Sequence, residues 1–281
     1  MKQLDILKTD ELVELFNKQN MEAYQIYNSQ QAKITKLCDL AYKSVKNGFR
    51  VIYVGAGTSG RIGLLDALDV LPTFGEANWF TYSMAGGSEA ILASLEGYED
   101  DAELGVNDAK NLDVKAGDLV VGLSASGNTK YVYGFMQHAE SVGAKIALVT
   151  NKQGGRCEEL SDLVVDLVVQ NEIVQGSTRL LGGTLQKMVA NTISTVVAIK
   201  MGKVFDEWMI NLTPINEKLV ARSIDIIARI VNCATEVAAK AYKEAHDNIK
   251  VAIIMLVKKV NANEAKSILE KNHNNLRKAM S

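Results

Sequence analysis

The 281-residue chain carries 31 basic and 33 acidic residues, a formal net charge of -2, and 47% hydrophobic residues. That balance excludes the basic stripe of a nucleic-acid binder and the polybasic block of a membrane-surface protein. The charged start MKQLDILKTDEL is no secretory signal, and the longest apolar runs, such as VAIIMLV at 251–257, are too short to span a bilayer.

In chain order, residues 1–47 contain neither glycine nor proline. Leu12, Val13, Leu15 and Phe16 recur at helical spacing, as do Ile34, Leu37, Ala41 and Val45. Two helices are predicted, ending at the Asn47-Gly48 stop signal. Short apolar runs follow at 51–55 (VIYVG), 78–84 (NWFTYSM), 118–123 (DLVVGL), 145–150 (KIALVT) and 162–169 (DLVVDLVV), with helical patterning between them. Continuous apolar strands alternating with helices predict a five-stranded parallel sheet of flavodoxin-like order, covered on both faces. From about residue 184 the pattern turns helical, with TLQKMVANTISTVVAIKMGK as a buried helix. Pro214 marks a boundary before a charged helical tail, in which Asn261 and Glu264 form a capping box. The predicted organisation is a helical segment over 1–47, a ligand-binding α/β domain over 48–215 and a small helical domain over 216–281. Cys38, Cys157 and Cys233 are scattered, as are His138, His246 and His273, so reduced thiols in a cytoplasmic protein are expected and a metal site is not.

The loop GAGTSGRIG at 55–63 has the spacing of a dinucleotide fingerprint. A nicotinamide site would need a carboxylate at the end of the second strand, which instead runs Tyr82-Ser83-Met84-Ala85-Gly86-Gly87. The third strand leads into Ser124-Ala125-Ser126-Gly127-Asn128-Thr129, just before a helix N-terminus. Backbone N–H groups, the helix dipole and three hydroxyls there suit a phosphate. No lysine stands at Walker spacing, which excludes a nucleoside triphosphate. A third loop, Gln175-Gly176-Ser177-Thr178-Arg179, precedes the long helix. Three such loops at one sheet edge predict a pocket for a phosphorylated sugar, built from Gly57, Thr58, Ser59, Ser124, Ser126, Asn128, Thr129, Ser177 and Thr178.

SASGNT after a buried strand resembles the phosphate loop of sugar isomerase (SIS) domains. VGAGTSGRIGLLDALDVLPTFG, MAGGSEAI, LEGYEDDAELGVNDAKNL, GSTRLLGGTLQKMV and GKVFDEWMINLTPINEKL, in that order, are similar to the N-acetylmuramic acid 6-phosphate etherases and, less closely, to the glucokinase regulatory protein. The resemblance implies a three-layer α/β/α SIS fold, a small C-terminal helical domain and a homodimer with active sites near the subunit interface. It also implies cleavage of the D-lactyl ether of MurNAc 6-phosphate by elimination and hydration, with no metal or organic cofactor. The partner it implies is thus a phosphorylated amino sugar.

That chemistry needs a carboxylate base and a carboxylic acid. The family's E-G-x-E-D reads Glu96-Gly97-Tyr98-Glu99-Asp100 here, which makes Glu99 the base at C2. The segment S-E-C-P-P-T reads Leu68-Asp69-Val70-Leu71-Pro72-Thr73, which makes Asp69 the acid, one methylene shorter than glutamate. R-x-K-A-G-T reads Arg179-Leu180-Leu181-Gly182-Gly183-Thr184, so a leucine replaces the lysine. The N-terminal leader that normally precedes the first helices of this family is expected to be absent. Glu172, before the third loop, is a candidate for hydrogen-bonding sugar hydroxyls or for a structural role. The plain alternatives are a solvated acidic run ending a helix for Glu99 and Asp100, and a helix-terminal surface carboxylate for Asp69. Turn chemistry is the alternative for the loop hydroxyls. Trp79, Tyr131 and Trp208 read as core or interface residues. Two further functions stay open: a non-catalytic sugar-phosphate-binding regulator of a kinase or transcription factor, and a phosphosugar isomerase.

Overall fold

The structure, a computed structural model, describes residues 3–93, 95–211 and 217–281. Two compact units divide the chain, one comprising Met1–Leu68 and Asn78–Thr195, the other Asp69–Ala77 and Val196–Ser281. The expected boundary at Pro214 lies outside the described residues.

The first unit opens with α1 (Thr9–Ser29) and α2 (Gln31–Lys46), the two helices predicted. α2 buries Ile34, Leu37, Cys38, Ala41 and Val45 along one face. α1 departs from its pattern, because Val13 and Phe16 remain 53% and 40% exposed. Its helical period is real, but the chain itself covers little of its apolar face.

Five parallel strands follow: β1 (Val51–Gly55), β2 (Phe80–Met84), β3 (Leu119–Ser124), β4 (Lys145–Thr150) and β5 (Leu163–Asp166). Their spatial order is β2-β1-β3-β4-β5, the flavodoxin-like order predicted. The last apolar run forms a shorter strand than its length suggests. Beyond Asp166 the chain stays beside β4 through Leu167 N–H to Thr150 O (2.8 Å) and Val169 N–H to Asn151 O (3.1 Å), without extending the ladder. The intervening helices are α3 (Gly57–Phe74), α4 (Gly87–Leu92), α5 (Ala102–Asn111), α6 (Lys130–Ser141) and α7 (Leu181–Lys200). Ile52, Val54 and Val120 pack with Tyr131, Phe135 and Met136 of α6 on one face of the sheet. On the other, the Tyr53 hydroxyl donates to Asp66 Oδ2 of α3 at 2.9 Å. Alternate residues of one strand therefore feed two helical layers, as a doubly covered sheet requires.

In the second unit a hairpin of β6 (Val204–Phe205) and β7 (Trp208–Met209) precedes α8 (Glu217–Val231), α9 (Thr235–Glu244), α10 (Ile249–Lys258), α11 (Ala262–Lys271) and α12 (Leu276–Met280). Its core gathers Phe205, Ile226, Ile227, Tyr242 and Ile253. The run VAIIMLV lies in α10, where Val251 to Ile254 are all buried. The predicted capping box forms: Asn261 Oδ1 accepts from Glu264 N–H at 3.0 Å, and Glu264 Oε2 accepts from Asn261 N–H at 3.0 Å. The hairpin escaped the sequence reading, since two-residue strands are too short to express a period of two. Among the described residues, no helix is long and apolar enough to cross a membrane.

Candidate functional site

Parallel strands bring their C-terminal ends to one edge, and the predicted loops leave from that edge. In the first, a Cβ on Gly55 would lie 2.7 Å from Gly60 N, and one on Gly60 would lie 2.7 Å from the Met84 side chain. Gly55 and Gly60 thus let α3 start directly against the end of β1. Gly57 takes φ +54°, leaving Thr58 and Ser59 half-buried in the first turn of α3.

The second loop turns tightly on its own side chains. Ser124 is 1% exposed and its Oγ lies 2.8 Å from Thr129 Oγ1. Thr129 stands at the N-cap of α6 yet makes no side-chain cap; its hydroxyl faces Ser124, and among the described residues the first N–H groups of α6 keep no side-chain acceptor. Ser126 Oγ accepts from Asn128 N–H at 3.1 Å. Asn128 Oδ1 accepts from Arg156 N–H (2.9 Å), while its Nδ2 donates to Ser126 O (3.1 Å). Asn128 is occupied at both ends as a brace, and the helix end and three hydroxyls are what the loop offers an anion.

The third loop comes beside the first. Gly183 N–H donates to Thr178 O at 2.9 Å, and a Cβ on Gly183 would meet Thr58 Cγ2 at 3.4 Å. Ser177 is half-buried and Thr178 exposed in this turn. Glu172 is 7% exposed; its two oxygens accept from Leu181 N–H and Gly182 N–H, each at 2.9 Å. It caps α7 at a helix end where negative charge is favoured.

The segment that carries Glu99 is held next to the second loop. It forms a 3-10 turn over Tyr98–Asp100, and Asp100 pairs with Lys130, the first residue of α6, at 3.2 Å. Asp101 Oδ1 accepts from Leu104 N–H (2.9 Å) and caps α5. The acidic run therefore starts a helix rather than ending one, because Gly97 at φ +92° breaks the chain before it. Of the three acids, Asp101 caps and Asp100 pairs, while Glu99 is half-buried with no hydrogen bond among the described residues. Asp69 stands exposed on α3, one turn past the buried Asp66.

Several supports were not visible in the sequence. Arg61 Nη2 donates to Ala90 O (2.7 Å) and Ala93 O (3.0 Å), fastening the chain that leads from β2 toward Glu99. Tyr131 proves to be core: its hydroxyl donates to Asp108 Oδ2 and accepts from Ser83 Oγ, both at 2.7 Å. Burial raises its pKa and keeps it a donor. Asn151, at the end of β4, donates to Leu167 O (3.1 Å) and accepts from Gln186 Nε2 (3.2 Å), joining β5 to α7. These contacts link residues remote in sequence, so no local spacing announces them. Among the described residues no disulfide joins the three cysteines; burial pushes the Cys157 thiol up to about 12, against the pull of Arg156.

Residues 33–140 match the family model of the glucokinase regulatory protein N-terminal SIS domain. Over 277 residues the chain is 39% identical to the N-acetylmuramic acid 6-phosphate etherase of Lactobacillus acidophilus, covering 97% of this chain and 92% of that one. Over 279 residues it is 38% identical to the etherase of Klebsiella aerogenes, covering 99% and 93%. The chain belongs to the N-acetylmuramic acid 6-phosphate etherase family. Among solved structures, a phosphoheptose isomerase from Neisseria gonorrhoeae aligns with TM-score 0.54 at 16% identity, covering 68% of this chain and 98% of that one. One from Francisella tularensis aligns with TM-score 0.53 at 16% identity, covering 71% and 100%. Identities that low speak for the shared SIS fold alone. In this etherase-family chain, Leu181 holds the lysine position of the R-x-K-A-G-T pattern and is 2% exposed, packed into the first turn of α7.

Proposed function

We propose that this chain is an N-acetylmuramic acid 6-phosphate etherase, a carbon–oxygen lyase that converts MurNAc 6-phosphate and water into GlcNAc 6-phosphate and D-lactate. Near-full-length identity of 39% to a curated etherase carries this reading. In our reading residues 48–215 form the phosphosugar-binding domain, between the 1–47 helical segment and the 216–281 helical domain. The phosphate sits on the N-terminus of α6, with Ser124, Ser126 and Thr129 around it and Thr58, Ser59, Ser177 and Thr178 toward the sugar. Glu99 takes the proton from C2. The freed electron pair forms the C2=C3 bond as the C3–O bond breaks, and Asp69 gives a proton to the departing ether oxygen. Water then adds its hydroxyl at C3 and a proton at C2.

The enzyme works in the cytoplasm as a homodimer. Leu65, Leu68 and Leu71 of α3 are 45%, 56% and 48% exposed, an apolar row beside Asp69. Such a row calls for a partner surface, and a second copy of the chain would bring the interface next to the acid. Leu68→Glu should then yield a monomer by light scattering.

The deciding experiment incubates purified protein with MurNAc 6-phosphate and assays D-lactate. Turnover is expected, and Glu99→Ala should abolish it. A folded dimer that binds the sugar phosphate but releases no lactate would overturn the enzyme reading in favour of a sugar-phosphate-responsive regulator.

A further inference from the structure

The helical unit contains a cavity of about 330 Å³ that belongs to none of the chemistry above. Among the described residues three lysines line it, Lys203, Lys250 and Lys266, with Asn211, Asn248, Asn274 and one carboxylate, Glu270. Like charges around one space repel, so each needs an account. Lys203 pairs with Glu76. Lys250 is only 9% exposed, and its Nζ donates to two carbonyls, Gly202 O at 3.0 Å and Asn274 O at 3.2 Å. An ammonium carries three N–H donors, so among the described residues one donor of a nine-tenths buried cation has no acceptor. Lys266 is exposed and makes no ion pair among the described residues. The cavity also receives the start of α10, whose N-cap Asn248 accepts from Val251 N–H (3.0 Å), and the positive end of that helix adds to the field.

We propose that this cavity binds a small phosphorylated polyol, with the phosphate on Lys250 and Lys266 and the hydroxyls on Glu270 and the asparagine amides. The chemistry selects this class on three counts. A buried donor and an unpaired ammonium suit a doubly charged anion better than a neutral molecule. A volume of about 330 Å³ exceeds what a bare phosphate fills. Glu270 disfavours a second acidic group and accepts from hydroxyls. The site is separate from the strand-end loops and stands whether or not those loops hold MurNAc 6-phosphate.

The test is an amide-resolved NMR titration of the full chain with sn-glycerol 3-phosphate, with glycerol and inorganic phosphate as controls. The expected result is a saturable shift at Asn248, Lys266, Glu270 and Asn274, separate from any shift at Ser124 to Thr129. Lys266→Glu should weaken the first response about tenfold or more, because it sets a carboxylate against the phosphate, while leaving any second response unchanged. Lys250→Met should weaken it similarly; should that variant fail to fold, the exposed Lys266 still decides. No shift at the four amides, equal shifts with glycerol, or wild-type affinity in Lys266→Glu would overturn the site. Inorganic phosphate binding as tightly as the ester would overturn the polyol assignment.

Discussion

Glu172→Ala separates two roles that the sequence left open for this carboxylate. The side chain is 7% exposed, and its oxygens accept the first two buried N–H groups of α7 at 2.9 Å each. Removing it leaves both donors without a partner, at about 1–3 kcal/mol apiece, and removes the favourable interaction of an acid with the helix N-terminus. Water entering the vacated space recovers part of that loss, so a net destabilisation of about 2–4 kcal/mol is expected. For a chain of this size that corresponds to a fall in Tm of roughly 3–7 °C, measurable by calorimetry. Glu172→Gln keeps one acceptor oxygen and should lose about half as much. A role confined to sugar hydroxyls predicts the reverse: unchanged Tm with weakened sugar-phosphate binding. A Tm within about 1 °C of wild type for Glu172→Ala would refute the capping argument.

Three other outcomes follow from the same geometry. A Cβ on Gly105 would lie 2.0 Å from Tyr131 O, and one on Gly134 would lie 1.9 Å from Ala102 O, so α5 and α6 touch through backbone. Gly105→Ala should cost about 3 kcal/mol in a denaturant titration and shift the 124–129 loop ahead of α6; wild-type stability would sink this packing. Asp69→Glu should retain or raise lactate release, since the longer arm reaches the ether oxygen more readily, whereas its loss of turnover would show that the site is built around the shorter acid. Burial, then Lys203, lowers Lys250 to about 8, against the pull of Glu76. Unfolded lysine titrates near about 10.4, so between the two values the unfolded chain binds more protons and this group favours folding increasingly as pH rises. The Tm of wild type minus that of Lys250→Met should therefore be more positive at about pH 9.5 than at about pH 7.5, and a flat difference would contradict a buried ammonium.

The sequence by itself determined the sheet, its flavodoxin-like order and the places of the three loops at the strand ends. Each of these is written in short-range patterns: apolar runs of strand length, glycines at turn positions, and hydroxyls just before a helix. The Asn261–Glu264 capping box was legible for the same reason, as both partners lie within one turn. Motifs in a fixed order supplied the family and the candidate acids, Glu99 and Asp69. Tertiary structure alone decided what the side chains do once remote segments meet. It made Glu172 the cap of α7, set Asp100 against Lys130 at the start of α6, and used Gly105 and Gly134 to let two helices touch. It left the apolar residues of α1 largely uncovered and gathered three lysines around one cavity. Local periodicity records which face of an element is apolar; only the packed chain settles what that face meets, because contact depends on pairings far apart in sequence.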